Sequence, residues 1–139
     1  MLYLDTSAVV KLLLREKESV ALRAYFGNRD WASSALLRTE LPRALGRVEP
    51  SVLPRAVDLL AQVSLLVIDT QVLDTAARLS PSTLRSLDAI HLASALELRD
   101  ELTAFVAYDD RLLAAASALG MSVASPFHET RSPNLDVSS

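Results

Sequence analysis

Apolar and polar positions in this chain switch repeatedly between a strand period and a helix period, and the switch points mark its elements. Leu2-Tyr3-Leu4 is a short apolar run that stops at Asp5, after which Thr6 and Ser7 lead into apolar positions spaced as in a helix. A short apolar run closed by a turn signal reads as a buried strand. Asp-Thr-Ser ahead of a periodic run reads as a helix start. The pattern predicts a helix over residues 6–14 with Val9, Val10, Leu13 and Leu14 inward, and a second over 19–26 stopped by Gly27 as a C′ residue. A short strand over 30–33 follows, and Ser33 or Ser34 caps a helix over 35–48.

In that helix Leu37, Leu41, Ala44, Leu45 and Val48 form a stripe at helical period. Glu40 falls on the same apolar face, where an acid without a cation is costly. Pro42 removes an amide donor and predicts a kink or a break. Further on the pattern predicts a helix from 49–51 to about 63 and the clearest strand over 64–69. Thr70 caps a helix to 79, 80–83 is a loop, and a long helix runs over 86–98. A strand over 103–108 ends at Asp109-Asp110, a helix over 111–119 is closed by Gly120, and a last short strand covers 121–124. Strands alternating with helices imply an α/β fold, a parallel sheet covered on both faces. Residues 1–125 read as one domain and 126–139, rich in Pro, Ser and Asn, as a loose C-terminal tail.

Parallel strands joined by right-handed crossovers bring their C-terminal ends to one edge, and open α/β sheets bind ligands there. Asp5 and Asp109 sit just past two such ends, and the helix over 86–98 must begin at that edge, which places Asp88 in its first turn there. Glu40 lies about two turns into a helix leaving the same edge, within reach of a long side chain. Each acid has a plainer explanation: Asp5 and Asp109 as helix caps, Asp88 favoured by the helix dipole, Glu40 paired with Arg38, Arg43 or Arg47. Capping explains neither an inward Glu40 nor a shared edge. Asp69 ends a strand without an inward partner, and Asp110 is the substitute if the register at Asp109 is shifted. Carboxylates without His or Cys ligands make the hard-oxygen environment that suits Mg²⁺ or Mn²⁺, for which phosphodiester hydrolysis is a fitting chemistry. His91, one turn after Asp88, either touches the site or orients that helix, with the structural role favoured; His128 falls in the tail.

Composition narrows this only a little. The 139 residues are 50% apolar and 22% charged, enough for a packed core and against disorder. The absence of cysteine removes disulfides and thiolate chemistry and agrees with a cytoplasmic location. No signal peptide is visible, since Asp5 interrupts the first apolar run, and no run approaches the ~20 residues of a membrane span. Net charge of −3 argues against sequence-blind polyanion binding, whereas twelve arginines against two lysines suit bidentate phosphate contact or reflect codon bias.

At these residues the chain resembles the PIN-domain ribonucleases, and within them the VapC-type toxins of toxin–antitoxin pairs. The matching pieces are Leu2-Tyr3-Leu4-Asp5-Thr6-Ser7-Ala8, Glu40, the stretch Leu84-Arg85-Ser86-Leu87-Asp88-Ala89-Ile90-His91-Leu92-Ala93-Ser94-Ala95, and Phe105-Val106-Ala107-Tyr108-Asp109-Asp110-Arg111-Leu112. The stretch around Asp88 is the most specific. The resemblance implies a three-layer α/β/α PIN-like fold with a short central parallel sheet of four or five strands. It implies an endoribonuclease dependent on Mg²⁺ or Mn²⁺, with Asp5, Glu40, Asp88 and Asp109 as the catalytic and metal-holding acids and Thr6 or Ser7 as an accessory hydroxyl. It further implies RNA as substrate, a VapB-type antitoxin as partner, a homodimer and a toxin–antitoxin hetero-oligomer, with no role for a membrane. Leu36, Leu37, Leu41 and Leu45 exceed what one helix face needs and offer a dimer interface. Ala107 departs from the Thr or Ser of many members and leaves Asp109 without that orienting hydroxyl. The competing readings are a catalytically silent PIN-like module that binds RNA or protein, and a phosphatase or phospho-receiver. The second lacks the further acid at Ser7 and a lysine after the fourth strand.

Overall fold

A computed structural model describes residues 1–127. Five parallel strands form one sheet in the order β3-β2-β1-β4-β5, where β1 is Leu2–Leu4, β2 Trp31–Ser34, β3 Ser64–Leu66, β4 Ala104–Val106 and β5 Val123–Ala124. The helices are α1 Thr6–Leu13, α2 Ser19–Phe26, α3 Leu37–Val48, α4 Leu53–Leu60, α5 Thr70–Arg78, α6 Ser86–Leu96 and α7 Asp110–Ala118. The chain winds outward from β1 through β2 to β3, then returns to the other side of β1 with β4. Strand order therefore reverses between β1 and β4, and a doubly wound sheet opens its binding crevice at that reversal.

Period-two alternation divides the core. Leu2, Leu4, Ala104 and Val106 face one layer with Val9, Leu22, Leu37, Leu41 and Leu45. Tyr3, Phe105 and Ala107 face the other, with Leu92, Ala95, Leu112 and Ala116. Both faces of the sheet are covered, which explains why its central strands carry no polar alternation. The three-layer α/β/α arrangement is thus the observed one.

Several local expectations change. The helix predicted from 49–51 to 63 is a 3₁₀ turn at Pro50–Val52 followed by α4, and residues beyond Leu96 form a second 3₁₀ turn at Arg99–Glu101. The clear strand at 64–69 shortens to three residues because β3 is an edge strand and pairs on β2 alone. Pro42 neither breaks nor ends α3. It sits early in the helix, and the one bond its missing amide forgoes would have gone to the carbonyl of exposed Arg38. Leu37, Leu41 and Leu45 are fully buried and belong to the core beneath α1 and α4. They are therefore withdrawn as a dimer interface. The 126–139 tail lies mostly outside the described residues, as does His128; Pro126 is described, and its carbonyl accepts a hydrogen bond from Tyr108 Oη.

Asp69, and not Thr70, caps α5: its Oδ1 accepts from Val72 N at 2.9 Å. Replacing it with alanine is expected to cost about 1 kcal/mol of stability and to leave any activity at the β1–β4 crevice unchanged. Chemical unfolding together with an activity assay checks both halves.

Candidate active site

Two of the four acids cap helices, and a third stands in a helix's first turn. Asp5 ends β1 in an extended conformation and caps α1, its Oδ1 accepting from Ala8 N at 3.0 Å and from Ser7 Oγ at 2.7 Å. Asp109 does the same after β4, its Oδ1 accepting from Arg111 N and Leu112 N at 2.8 and 3.1 Å. Asp88 lies in the first turn of α6. Capping and convergence are therefore not alternatives. Capping uses one oxygen of Asp5 and of Asp109, and Oδ2 of each is left without a protein donor among the described residues. Ser7 Oγ also accepts the Tyr108 amide at 3.3 Å, tying the end of β4 to the end of β1.

Asp109, and not Asp110, shares a cleft with Asp88. Asp88 and Asp109 line one cleft of about 220 Å³ with Thr83, Leu84, Arg85 and Arg111, whereas Asp110 lines a separate cleft beside Lys17, Glu18 and Tyr108. Ala107 is buried in the core, and the two α7 amides orient Asp109 in place of the missing hydroxyl. Arg85, at the N-cap of α6, borders the acids. Arg38 and Arg43 are exposed on α3 and line no part of this cleft, whereas Arg111 lines it. Its signal was available: it lies two residues after Asp109, in the first turn of a helix starting at the crevice. A larger cleft of about 410 Å³, bordered by Leu13, Leu14, Val48 and Val52, contains none of the four acids.

Glu40 does not pair with Arg38, Arg43 or Arg47. Its Oε1 is held by Thr6 Oγ1, which donates at 2.6 Å, and by His91 Nε2 at 2.8 Å. His91 is therefore more than a packing residue of α6. Burial pushes the Glu40 carboxyl up, but the bonds from His91 and Thr6 outweigh it and hold the group below its ordinary value. The reverse holds for two aspartates. Burial raises Asp5 against the lowering bond from Ser7. Burial also raises Asp88, and the negative charges of Asp109 and Glu40 raise it further.

This field is that of acids gathered faster than the protein supplies cations. Among the described residues, no three or more acidic, histidine or cysteine side chains stand close enough to one another to hold a metal ion as they are placed. Among the described residues, both Asp88 oxygens and Oδ2 of Asp5 and Asp109 lack protein donors, and the mutual repulsion of these acids is the kind a divalent cation relieves. The donor set is all oxygen, which fits Mg²⁺ or Mn²⁺. No helix among the described residues is long and apolar enough to cross a membrane.

Comparison with known proteins agrees with this fold. The PIN domain family model matches residues 2–118. Ribonuclease VapC47 of Mycobacterium tuberculosis (strain CDC 1551 / Oshkosh) is 44% identical over 132 residues, covering 91% of this chain and 97% of that protein. Ribonuclease VapC46 of Mycobacterium tuberculosis (strain ATCC 25618 / H37Rv) is 48% identical over 126 residues, covering 90% and 97%. Among solved structures, Mycobacterium tuberculosis VapC20, a sarcin–ricin loop cleaving toxin, superposes with a TM-score of 0.69 at 15% identity, over 87% of this chain and 96% of that one. That likeness speaks for the fold. Matched over most of its length by the family and by relatives at this identity, the chain belongs to the PIN-domain proteins, in the VapC ribonuclease family.

Proposed function

We propose that this protein is an endoribonuclease dependent on Mg²⁺ or Mn²⁺ and the toxin of a type II toxin–antitoxin pair. The carrying observation is the cleft at the β1–β4 reversal, where Asp88 and Asp109 face Arg85 and Arg111 while Asp5 and Glu40 approach from β1 and α3. In this reading Asp5, Asp88 and Asp109 present their unbonded oxygens as ligands, and Glu40 completes the set. When bound, the divalent cation supplies Lewis acidity that stabilises the attacking and departing oxygens of a phosphodiester.

The chain's own groups do the rest. Arg85 and Arg111 draw the RNA backbone to the acids and fix a phosphate by forked hydrogen bonds. Glu40 keeps Oε1 on Thr6 and His91, so that Oε2 is the oxygen able to orient an attacking water by accepting its proton. Thr6 serves as the accessory hydroxyl through Glu40, and Ser7 through Asp5. Identities of 44% and 48% to ribonucleases of the VapC type support a small VapB-type antitoxin as the neutralising partner, a toxin–antitoxin hetero-oligomer, and a place in the cytoplasm where RNA is met. A homodimer belongs to the same proposal, and Leu73 of α5 and Leu87 of α6, exposed on adjacent helices, replace the withdrawn leucines of α3 as its apolar surface.

RNA incubated with the protein and Mn²⁺ should be cut internally, and excess chelator or the Asp5→Asn change should abolish the cutting. Equal cleavage with and without chelator, or full activity in Asp5→Asn, would overturn the proposal. Absence of Mn²⁺ binding in calorimetry would instead favour a catalytically silent module.

A further inference from the structure

Glu40 is held by a chain of groups that runs through the protein interior and out to β1. Tyr3, fully buried on β1, stacks on Phe105 with ring centroids 5.2 Å apart and planes inclined by 8°. The same ring meets His91 edge-on at 5.9 Å and 79°, and its Oη lies 2.7 Å from His91 Nδ1. The opposite ring nitrogen, Nε2, lies 2.8 Å from Glu40 Oε1. The relay therefore joins β1, which Asp5 directly follows, to α6 and α3, which carry Asp88 and Glu40. His91 is only 2% exposed and Tyr3 not at all, so neither touches a substrate in the cleft.

From this geometry we propose that Tyr3 and His91 are positioning residues: the Tyr3 hydroxyl fixes the His91 tautomer with its proton on Nε2, and that proton holds Glu40 with Oε2 turned to the cleft. A neutral imidazole has one donor and one acceptor, and the bond made by one nitrogen decides the role of the other. A phenol keeps its proton at neutral pH, so at 2.7 Å the Tyr3 hydroxyl can give Nδ1 a hydrogen bond. His91 then has its proton on Nε2, where the acceptor is a carboxylate, a charge-assisted bond of the stronger kind. Thr6 holds the same oxygen from the opposite element, so Oε1 is fully engaged. With the hydroxyl absent, Nδ1 is free to take the proton, Nε2 becomes an acceptor facing a carboxylate oxygen, and only Thr6 still holds the side chain. The positioning part of the inference rests on Glu40 belonging to the carboxylate site proposed above.

Tyr3→Phe is the informative change, because it keeps the ring stacked on Phe105 and removes a single oxygen. ¹⁵N NMR of the metal-free protein should show a protonated Nε2 and an unprotonated Nδ1 on His91, and Tyr3→Phe should move the proton toward Nδ1. Mn²⁺ calorimetry should show affinity about 10-fold weaker in Tyr3→Phe, with no further loss when Tyr3→Phe is added to Glu40→Gln. A structural role alone would lower the melting temperature and leave Mn²⁺ affinity unmoved, which overturns the proposal. So does a proton on Nδ1 in the wild type. Should the wild type bind no Mn²⁺, the carboxylate-site reading falls while the NMR result still decides the Tyr3–His91 relay.

Discussion

Asp88→Asn is expected to reduce RNA cleavage on the order of 10²–10³-fold, the scale on which removal of one charge-stabilising group acts in an active site. The change is nearly isosteric and keeps the first turn of α6, so packing does not account for such a loss. It removes the acid on which the fields of Asp109 and Glu40 converge and which, among the described residues, has no hydrogen bond to the protein. The same change should not destabilise the metal-free protein at neutral pH. Asp88 is raised by burial and by its acidic neighbours, so it favours the folded state below the ordinary carboxylate value of 3.8 and opposes it as pH rises through the folded value. Asparagine removes that opposition, and any gain in melting temperature should therefore vanish in acid. Cleavage rates with Mn²⁺ and paired melting curves at neutral and acid pH measure both effects. Near-wild-type cleavage, or a large neutral-pH loss of stability, contradicts the site as drawn.

Phe105→Ala should be the most damaging of the core changes, at about 3–5 kcal/mol against a total of about 5–15 kcal/mol for a domain. Phe105 is fully buried in β4, pairs in register with Tyr3 of β1 and stacks on its ring. Truncation opens a cavity under α6 and α7 where Leu92 and Ala116 cannot collapse without moving their helices. In urea, with a slope of ~2 kcal/mol/M, the midpoint should fall by about 2 M. Phe105→Leu, which fills most of the space, should lose much less. Equal midpoints for the two variants would mean that this face of the sheet is not close-packed.

The Phe105 neighbourhood also joins stability to function. Tyr3 is held between Phe105 and His91, so a void on one side loosens the residue that aligns the other. Packing on the α6–α7 side of the sheet thus bears on Glu40, although Glu40 stands on α3 and its helix packs on the opposite face. His91, at the first turns of α6, is the residue that crosses from one layer to the other at the crevice.

Much of this arrangement was legible from residue order. Alternating elements gave a parallel sheet, Asp5 and Asp109 followed strand ends, Asp88 began a helix that must run back down the sheet, and Gly27 closed α2 with its φ of +52°. These are local or topological consequences: a strand end, a cap and a handedness rule each need only a few neighbouring residues. Glu40 was flagged because its helical phase put an acid among leucines, which is also a local signal.

Its partner was not legible. His91 is 51 positions away, Tyr3 is 88 positions from His91, and a sequence period carries no information about which inward side chains meet across a sheet edge. The surplus leucines of α3 looked like an interface because helical phase cannot tell a face covered by one neighbour from one covered by two; α1 and α4 both cover it. Asp109 and Asp110 differ by a single residue of helix start, and only tertiary structure shows Asp109 capping α7 and lining the cleft with Asp88. By itself, then, the sequence determined the fold class, the edge of the sheet and the acids delivered to it, since these follow from local pattern and chain handedness. Tertiary structure alone decided which acid oxygens are hydrogen-bonded and what holds Glu40, because those depend on contacts between elements that no local pattern encodes.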